Sequence, residues 1–184
     1  MLSTERITIR RLELQDAEAL FDLRTANRRY LEPFEPRFPE SHFTLAGQRE
    51  AIERGLEMWE KDQGYPFGIF LNETGHLIGR VILSNVVRGA WQNCTLGYFI
   101  AEGQQGKGYM TEAVTLAVRF AFDHVDLHRV QAAVIPRNQR SSRVLQKVGF
   151  RYEGLSKYYL FINQVWEDHH IYALTREDWD QLAE

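Results

Sequence analysis

The chain is expected to form a single α/β domain over residues 1–184, with a mixed, twisted central sheet flanked by helices. Three observations lead there. Its 184 residues suit one domain, and a chain of this size buries roughly 70% of its unfolded surface. Hydrophobic residues make up 44% and charged residues 26%, the balance of a globular protein able to fill a core. Strand-like runs come first, and from Trp91 onward strands alternate with helices, which calls for helices on the faces of a sheet.

Ile7, Ile9 and Leu12 open a short strand with basic residues between them. Asp16 has the character of a helix N-cap before Ala19, Leu20 and Leu23, which recur at helical spacing. Prolines at 33, 36 and 39 predict that the stretch from Arg28 to Pro39 is extended, stiff and exposed. Leu45–Lys61 reads as a helix with Ile52, Leu56 and Trp59 on one face. Phe67–Leu71 and Leu77–Leu83 are strands joined through Asn72-Glu73-Thr74-Gly75, a hairpin signal. Trp91–Ala101 is the next strand. Met110, Ala113, Val114, Ala117, Val118, Ala121 and Phe122 then mark a strong helix. Val130–Ile135 is a buried strand, and Ser141–Val148 is a helix closed by Gly149. Two strands, near Phe150–Leu160 and Val165–Leu174, finish the domain.

Bulk composition narrows the function. The single cysteine, Cys94, rules out an internal disulfide and suits a reducing compartment. No apolar run reaches the length of a membrane span, and Met1–Arg6 has no secretory character. The expected address is the cytoplasm, without membrane contact. A formal net charge of -3 argues against a nucleic-acid partner and suits an amine substrate.

Gln104-Gln105-Gly106-Lys107-Gly108-Tyr109-Met110-Thr111 lies between a strand and the long amphipathic helix. Glycines allow positive φ and let backbone N–H groups approach a ligand. The helix start adds unpaired N–H groups and a partial positive charge. Together these suit a phosphate, with Lys107 or a nearby arginine adding charge. The spacing does not fit a P-loop, and Thr111 stands where a dinucleotide fingerprint needs its third glycine. A turn whose glycines only relieve strain is the alternative.

Gln105-Gly-Lys-Gly108-Tyr-Met110 resembles the Gln/Arg-x-x-Gly-x-Gly/Ala motif of the GCN5-related N-acetyltransferase (GNAT) superfamily, with Met110 replacing a small residue. Asn138-Gln-Arg-Ser141-Ser-x-x-Leu145-x-x-x-Gly149-Phe150 is similar to the second cofactor motif of the same superfamily. The resemblance extends over nearly the whole chain to one branch, the ribosomal-protein alanine N-acetyltransferases, closest to the type acting on small-subunit protein S5. It is carried by Tyr30–Pro36, Ser84–Gly89, Leu96-Gly97-Tyr98, Tyr159-Leu160, Trp166–His169, Ala173–Thr175 and Asp178-Trp179.

This resemblance implies acetyl-CoA as co-substrate, no metal, and a protein N-terminus as partner, that of a ribosomal protein first of all. The enzyme would be a monomer or homodimer. Amides of Gly106, Lys107, Gly108, Tyr109, Met110 and Thr111 would hold the pyrophosphate after Gln105, and the backbone of Tyr98, Phe99 and Ile100 would run beside the pantetheine arm. An exposed strand edge gains from such pairing. Asn138 would hydrogen-bond the pantetheine, and Ser141 would protonate the departing thiolate; helix N-capping accounts for both residue types without a cofactor. The N–H of Phe99 or Ile100 would stabilise the tetrahedral oxyanion.

The general base is less evident. Thr95 and Leu160 stand where relatives carry glutamate, which leaves Glu35 and Tyr159. An α-amine titrates near 7.7–8.0, so roughly one in ten is neutral at pH 7, against fewer than about one in a thousand for lysine. A weakly placed base therefore fits an N-terminal acceptor better than a lysine.

Other features draw bland readings. Cys94 has no flanking charge to activate it. His124 and His128 lack a third metal ligand, and His169 and His170 face opposite sides of a strand. Asp168 is a structural hydrogen-bonding residue or an acceptor contact. Tyr30, Phe34, Phe38 and Phe43 are candidates for an acceptor groove. Two other functions compete: acetylation of a small amine such as a polyamine or an antibiotic, which calls for an acidic pocket, and a non-catalytic acetyl-CoA-binding module.

Overall fold

The computed structural model describes residues 1–182. Its strands are β1 (Leu2–Ser3), β2 (Ile7–Arg11), β3 (Tyr65–Leu71), β4 (Leu77–Val87), β5 (Asn93–Ile100), β6 (Arg129–Val134), β7 (Arg151–Ile162) and β8 (Val165–Thr175). The helices are α1 (Ala17–Ala26), α2 (Arg28–Leu31), α3 (Leu45–Glu60), α4 (Tyr109–Asp123), α5 (Gln139–Val148) and α6 (Arg176–Leu182). Among the described residues there is one sheet, ordered β1-β2-β3-β4-β5-β6-β8-β7. Only β5 and β6 run parallel; the other neighbours are antiparallel.

The seven apolar residues that mark α4 in the sequence are all buried. They form the main core with Ile7, Ile69, Val81, Leu83, Val130 and Leu174 on one face of the sheet. A second cluster on the opposite face joins Leu12, Ala17, Leu20, Leu23, Ile52 and Phe70, so α1 and α3 cover that face. Strand periodicity sorts the two sets, because alternate side chains point to opposite faces. Gly149 closes α5 at φ 103°, a conformation that costs a side chain about 1–2 kcal/mol.

Several elements differ from the sequence expectation. The proline segment is extended only from Glu35 to Pro39. Before it α2 runs into a 3-10 turn, Glu32–Phe34, and after it Glu40–Phe43 forms another. Pro33 is tolerated because a first helical turn needs no N–H at that point. Phe34 and Phe38 are half-buried. Helix α6 was not apparent from apolar periodicity; its signal is Thr175, whose Oγ1 accepts the Asp178 N–H at 3.4 Å and donates to Asp178 Oδ2 at 3.1 Å, a capping arrangement.

Asp16 makes no side-chain cap on α1. Its carboxylate instead accepts two hydrogen bonds from Arg10, each 2.7 Å, and the Glu13 N–H at 2.8 Å, tying β2 to α1. Burial by itself would raise this carboxyl's pKa, but the Arg10 and Glu13 hydrogen bonds and the Arg10 charge together hold it below its ordinary value. The stability it contributes is therefore present above the unfolded carboxyl pKa, near 3.9, and lost as pH falls below it. Asp16→Asn is expected to cost about 2 kcal/mol at pH 7, a deficit that shrinks below about pH 4. Thermal melts across pH check this; a pH-independent deficit contradicts it.

Candidate active site

The sheet opens at its single parallel step. Asn93 to Leu96 of β5 pair with Arg129 to Ala132 of β6, and beyond Leu96 the two strands part. The free edge follows from alternation along β5. Ala101 N–H donates to Ile78 O at 2.8 Å, so in the antiparallel register Phe99 also bonds to β4, opposite Arg80. Tyr98 and Ile100 are left with N–H and C=O groups directed into the gap. Of the two oxyanion candidates, Ile100 has the available N–H.

A cleft of about 1010 Å³ passes through this gap, lined by Leu96–Ile100, Ala132–Ile135, the glycine turn and α5. The turn is held open from behind. Asn27 Oδ1 accepts the Glu102 N–H at 2.8 Å, which fixes α1 to the start of the turn. Arg6 donates to Lys107 O at 2.9 Å and to Glu112 at 2.8 Å, while Thr4 donates to Glu112 at 2.6 Å. The acid in the first turn of α4 is thereby neutralised. Gly106 and Gly108 take φ 73° and 86°, and Gly108 is the N-cap of α4. Among the described residues no acceptor pairs with the N–H groups from Gly106 to Thr111; the first helical bond is Glu112 N–H to Gly108 O, 3.2 Å. Unpaired amides at a helix start form an anion cradle.

Met110 is 7% exposed and belongs to the core, so its bulk stays clear of the cradle. Gln105 accepts a hydrogen bond from Arg140, and its Nε2 is buried without a partner. Among the described residues the Lys107 side chain bonds only to Gln104, at 2.9 Å, and it is exposed. Arg140, Arg143 and Lys147 reach the cleft from α5. Their spacing of three and four residues puts them on one helical face, a signal in the sequence that the motif reading passed over.

Asn138 caps α5, its Oδ1 accepting the Ser141 N–H at 3.2 Å; that bond leaves its NH₂ group available on the cleft wall. Tyr98 O–H lies 3.0 Å from Ser141 O and 2.8 Å from Ser141 Oγ. Burial pushes the Tyr98 phenol pKa well up, so this group remains a neutral donor. When Tyr98 donates to Oγ, the Ser141 proton is free to point into the cleft.

Side-chain alternation divides the cleft. Tyr98 faces α5, whereas Phe99 packs against the α1 and α3 cluster. On that second side Arg24 donates to both oxygens of Glu35, each at 2.8 Å, with its guanidinium 4.8 Å from the Phe99 ring centroid. Glu35, a candidate base, lines the cleft with both of its oxygens engaged by the Arg24 guanidinium. Tyr30, Phe34 and Phe38 line the cleft, while Phe43 is absent from its lining and packs against Arg28 instead.

Tyr159 is 38% exposed, its ring centroid 5.5 Å from that of His169. His169 is buried and lines the cleft; its Nδ1 lies 3.0 Å from Glu167 O. A carbonyl can only accept, so Nδ1 carries the proton and Nε2 is the basic nitrogen. Sequence reasoning weighed His169 only as a chelator and missed this arrangement, which a backbone contact creates. Asp168 accepts the Tyr158 N–H at 2.8 Å, where Tyr158 has φ 50°. Cys94 is fully buried, and burial raises its thiol pKa to about 12, which removes the thiolate a ping-pong route needs.

Residues 6–151 match the model of the acetyltransferase (GNAT) domain. The chain is 44% identical over 181 residues to the probable N-acetyltransferase YjcK of Bacillus subtilis, covering 98% of this chain and all of that protein. It is 39% identical over 178 residues to the ribosomal protein uS5-alanine N-acetyltransferase of Escherichia coli, covering 97% and 92%. Among solved structures, Mycobacterium smegmatis RimJ in complex with CoA-disulfide superposes with a TM-score of 0.89 at 31% identity, covering 96% of this chain and 88% of that one. Fold, cleft and relatives define an acyltransferase. The chain belongs to the GNAT acetyltransferase family and is an N-acetyltransferase.

Proposed function

We propose that this enzyme moves the acetyl group of acetyl-CoA to the N-terminal α-amine of a protein, an alanine of a ribosomal protein being the first acceptor to test. Transfer is direct, within a ternary complex. The observation that carries the reading is the run of unpaired N–H groups from Gly106 to Thr111 beside the opened strand edge of β5. Such a cradle suits the pyrophosphate, with Arg140 and Arg143 adding charge, and the Tyr98 and Ile100 edge suits the pantetheine amides. Asn138 supplies its free NH₂ to the same arm.

Acetyl-CoA supplies a thioester whose carbonyl carbon accepts the amine. Ile100 N–H, aimed into the gap, stabilises the oxyanion, and Ser141, backed by the Tyr98 hydroxyl, returns a proton to the thiolate. On the acceptor side, His169 Nε2 takes the amine proton, directly, through water, or through the Tyr159 hydroxyl, which receives that proton as it passes its own on to water or His169. Glu35 positions Arg24. Arg24 and Arg80 on that side disfavour a polyamine.

A coupled thiol-release assay tests the reading with an Ala-initiated peptide, its N-terminally blocked form and a lysine-bearing peptide. Release with the free N-terminus alone is expected. Turnover on lysine only, or on no amine despite tight cofactor binding, would defeat it.

A further inference from the structure

We propose that the acceptor side of the cleft contains a carboxylate-binding subsite centred on Arg80, so that acceptors with an acid group close to the reacting amine are selected. The inference rests on the N-terminal acetyltransferase reading and names the chemistry of the acceptor. Arg80 projects from β4 into the cleft, directly across from Phe99. Its side chain makes no hydrogen bond to any described residue, and its Nε is buried without a partner. The neighbouring cation, Arg24, is already matched by both oxygens of Glu35. One carboxylate thus serves two guanidinium groups, and one positive charge is left over.

That charge is under strain. Burial and repulsion from Arg24 lower the Arg80 pKa to about 10, with Glu35 opposing them. His42 does not supply an anion; burial, then the Arg24 charge, lowers its pKa and keeps it neutral near pH 7. Its Nε2 is a further buried polar atom without a partner. A desolvated guanidinium with free donors recognises a planar carboxylate through paired hydrogen bonds. The subsite also lies close to the chemistry. Arg80 and Phe99 Cα atoms in a hydrogen-bonded pair stand about 5.5 Å apart, and the next residue, Ile100, carries the proposed oxyanion donor. The acid is therefore expected within the first three residues of a peptide, or as the α-carboxylate of a free amino acid.

The test uses the whole chain with acetyl-CoA and C-terminally amidated peptides Ala-Ala-Glu and Ala-Glu-Ala, each beside its Gln counterpart. A second arm compares alanine with alaninamide. A preference for Glu places the acid on a side chain, and a preference for alanine over alaninamide places it on the α-carboxylate. The favoured member should lead by about 30-fold in kcat/KM, the size of one charge-assisted hydrogen-bonded contact. Arg80→Gln should remove that preference with CoA affinity unchanged, and Arg80→Lys should keep part of it. Equal rates within every pair, or a preference that survives Arg80→Gln, would overturn the subsite. Should no acceptor turn over, calorimetric titration of the CoA-loaded protein with the same acceptors decides. Tighter binding of the acid member, lost in Arg80→Gln, keeps the subsite and removes the transferase reading; equal binding removes the subsite.

Discussion

Gly108→Asp is expected to weaken CoA binding at least about a hundredfold, because like charges brought together cost several kcal/mol. The new carboxylate would stand at the mouth of α4, beside the amides proposed to hold the pyrophosphate. Two further effects act in the same direction. Gly108 has φ 86°, so any side chain adds about 1–2 kcal/mol of strain. An added Cβ would also lie 3.1 Å from Arg6 Nη2, crowding the guanidinium that holds the Lys107 carbonyl. Gly108→Ala separates charge from the rest: it carries the strain and the Cβ contact without the carboxylate and should retain most of the affinity. Calorimetric titration measures both variants, with circular dichroism as the check on folding. Equal affinities for the Asp and Ala variants would remove the phosphate assignment.

Ser141→Ala should lower kcat about a hundredfold, the lower range for loss of a positioned proton donor, while KM for acetyl-CoA changes little. Tyr98→Phe should lower the same parameter less, since it removes only the group that orients the Ser141 proton. Ser141 is also a first-turn residue of α5, yet its bond to the Asn138 cap uses the backbone N–H, which alanine retains. A normal fold with reduced kcat therefore separates chemistry from capping. An unchanged kcat would assign proton delivery to another group, and solvent water would be the first to consider.

What could be read from the sequence were features written locally. Apolar residues three and four apart located α4, Gly149 marked the end of α5, and Gly106 and Gly108 marked a turn with positive φ, because each depends on neighbours within a few positions. The side of the cleft proposed for the cofactor could be outlined for the same reason: its residues lie in two short motifs, each joining a strand to a helix. The acceptor side was not. Arg24, Arg80 and His169 come from α1, β4 and β8, and only the sheet order brings them to one cleft. The formal charge of -3 suggested a surface suited to cations and concealed an arginine pair inside. The role of Glu35 was equally hidden, since nothing near it in sequence reveals that Arg24 takes both oxygens.

Near its middle the sheet has a short seam. Strands on either side are joined by only the few residues where β5 and β6 pair, Asn93 to Leu96 with Arg129 to Ala132. A ligand lying in the gap, as proposed, would act as a missing strand along β5. Its binding energy then adds to the free energy of unfolding, so the enzyme's lifetime would rise and fall with the supply of its own acetyl donor.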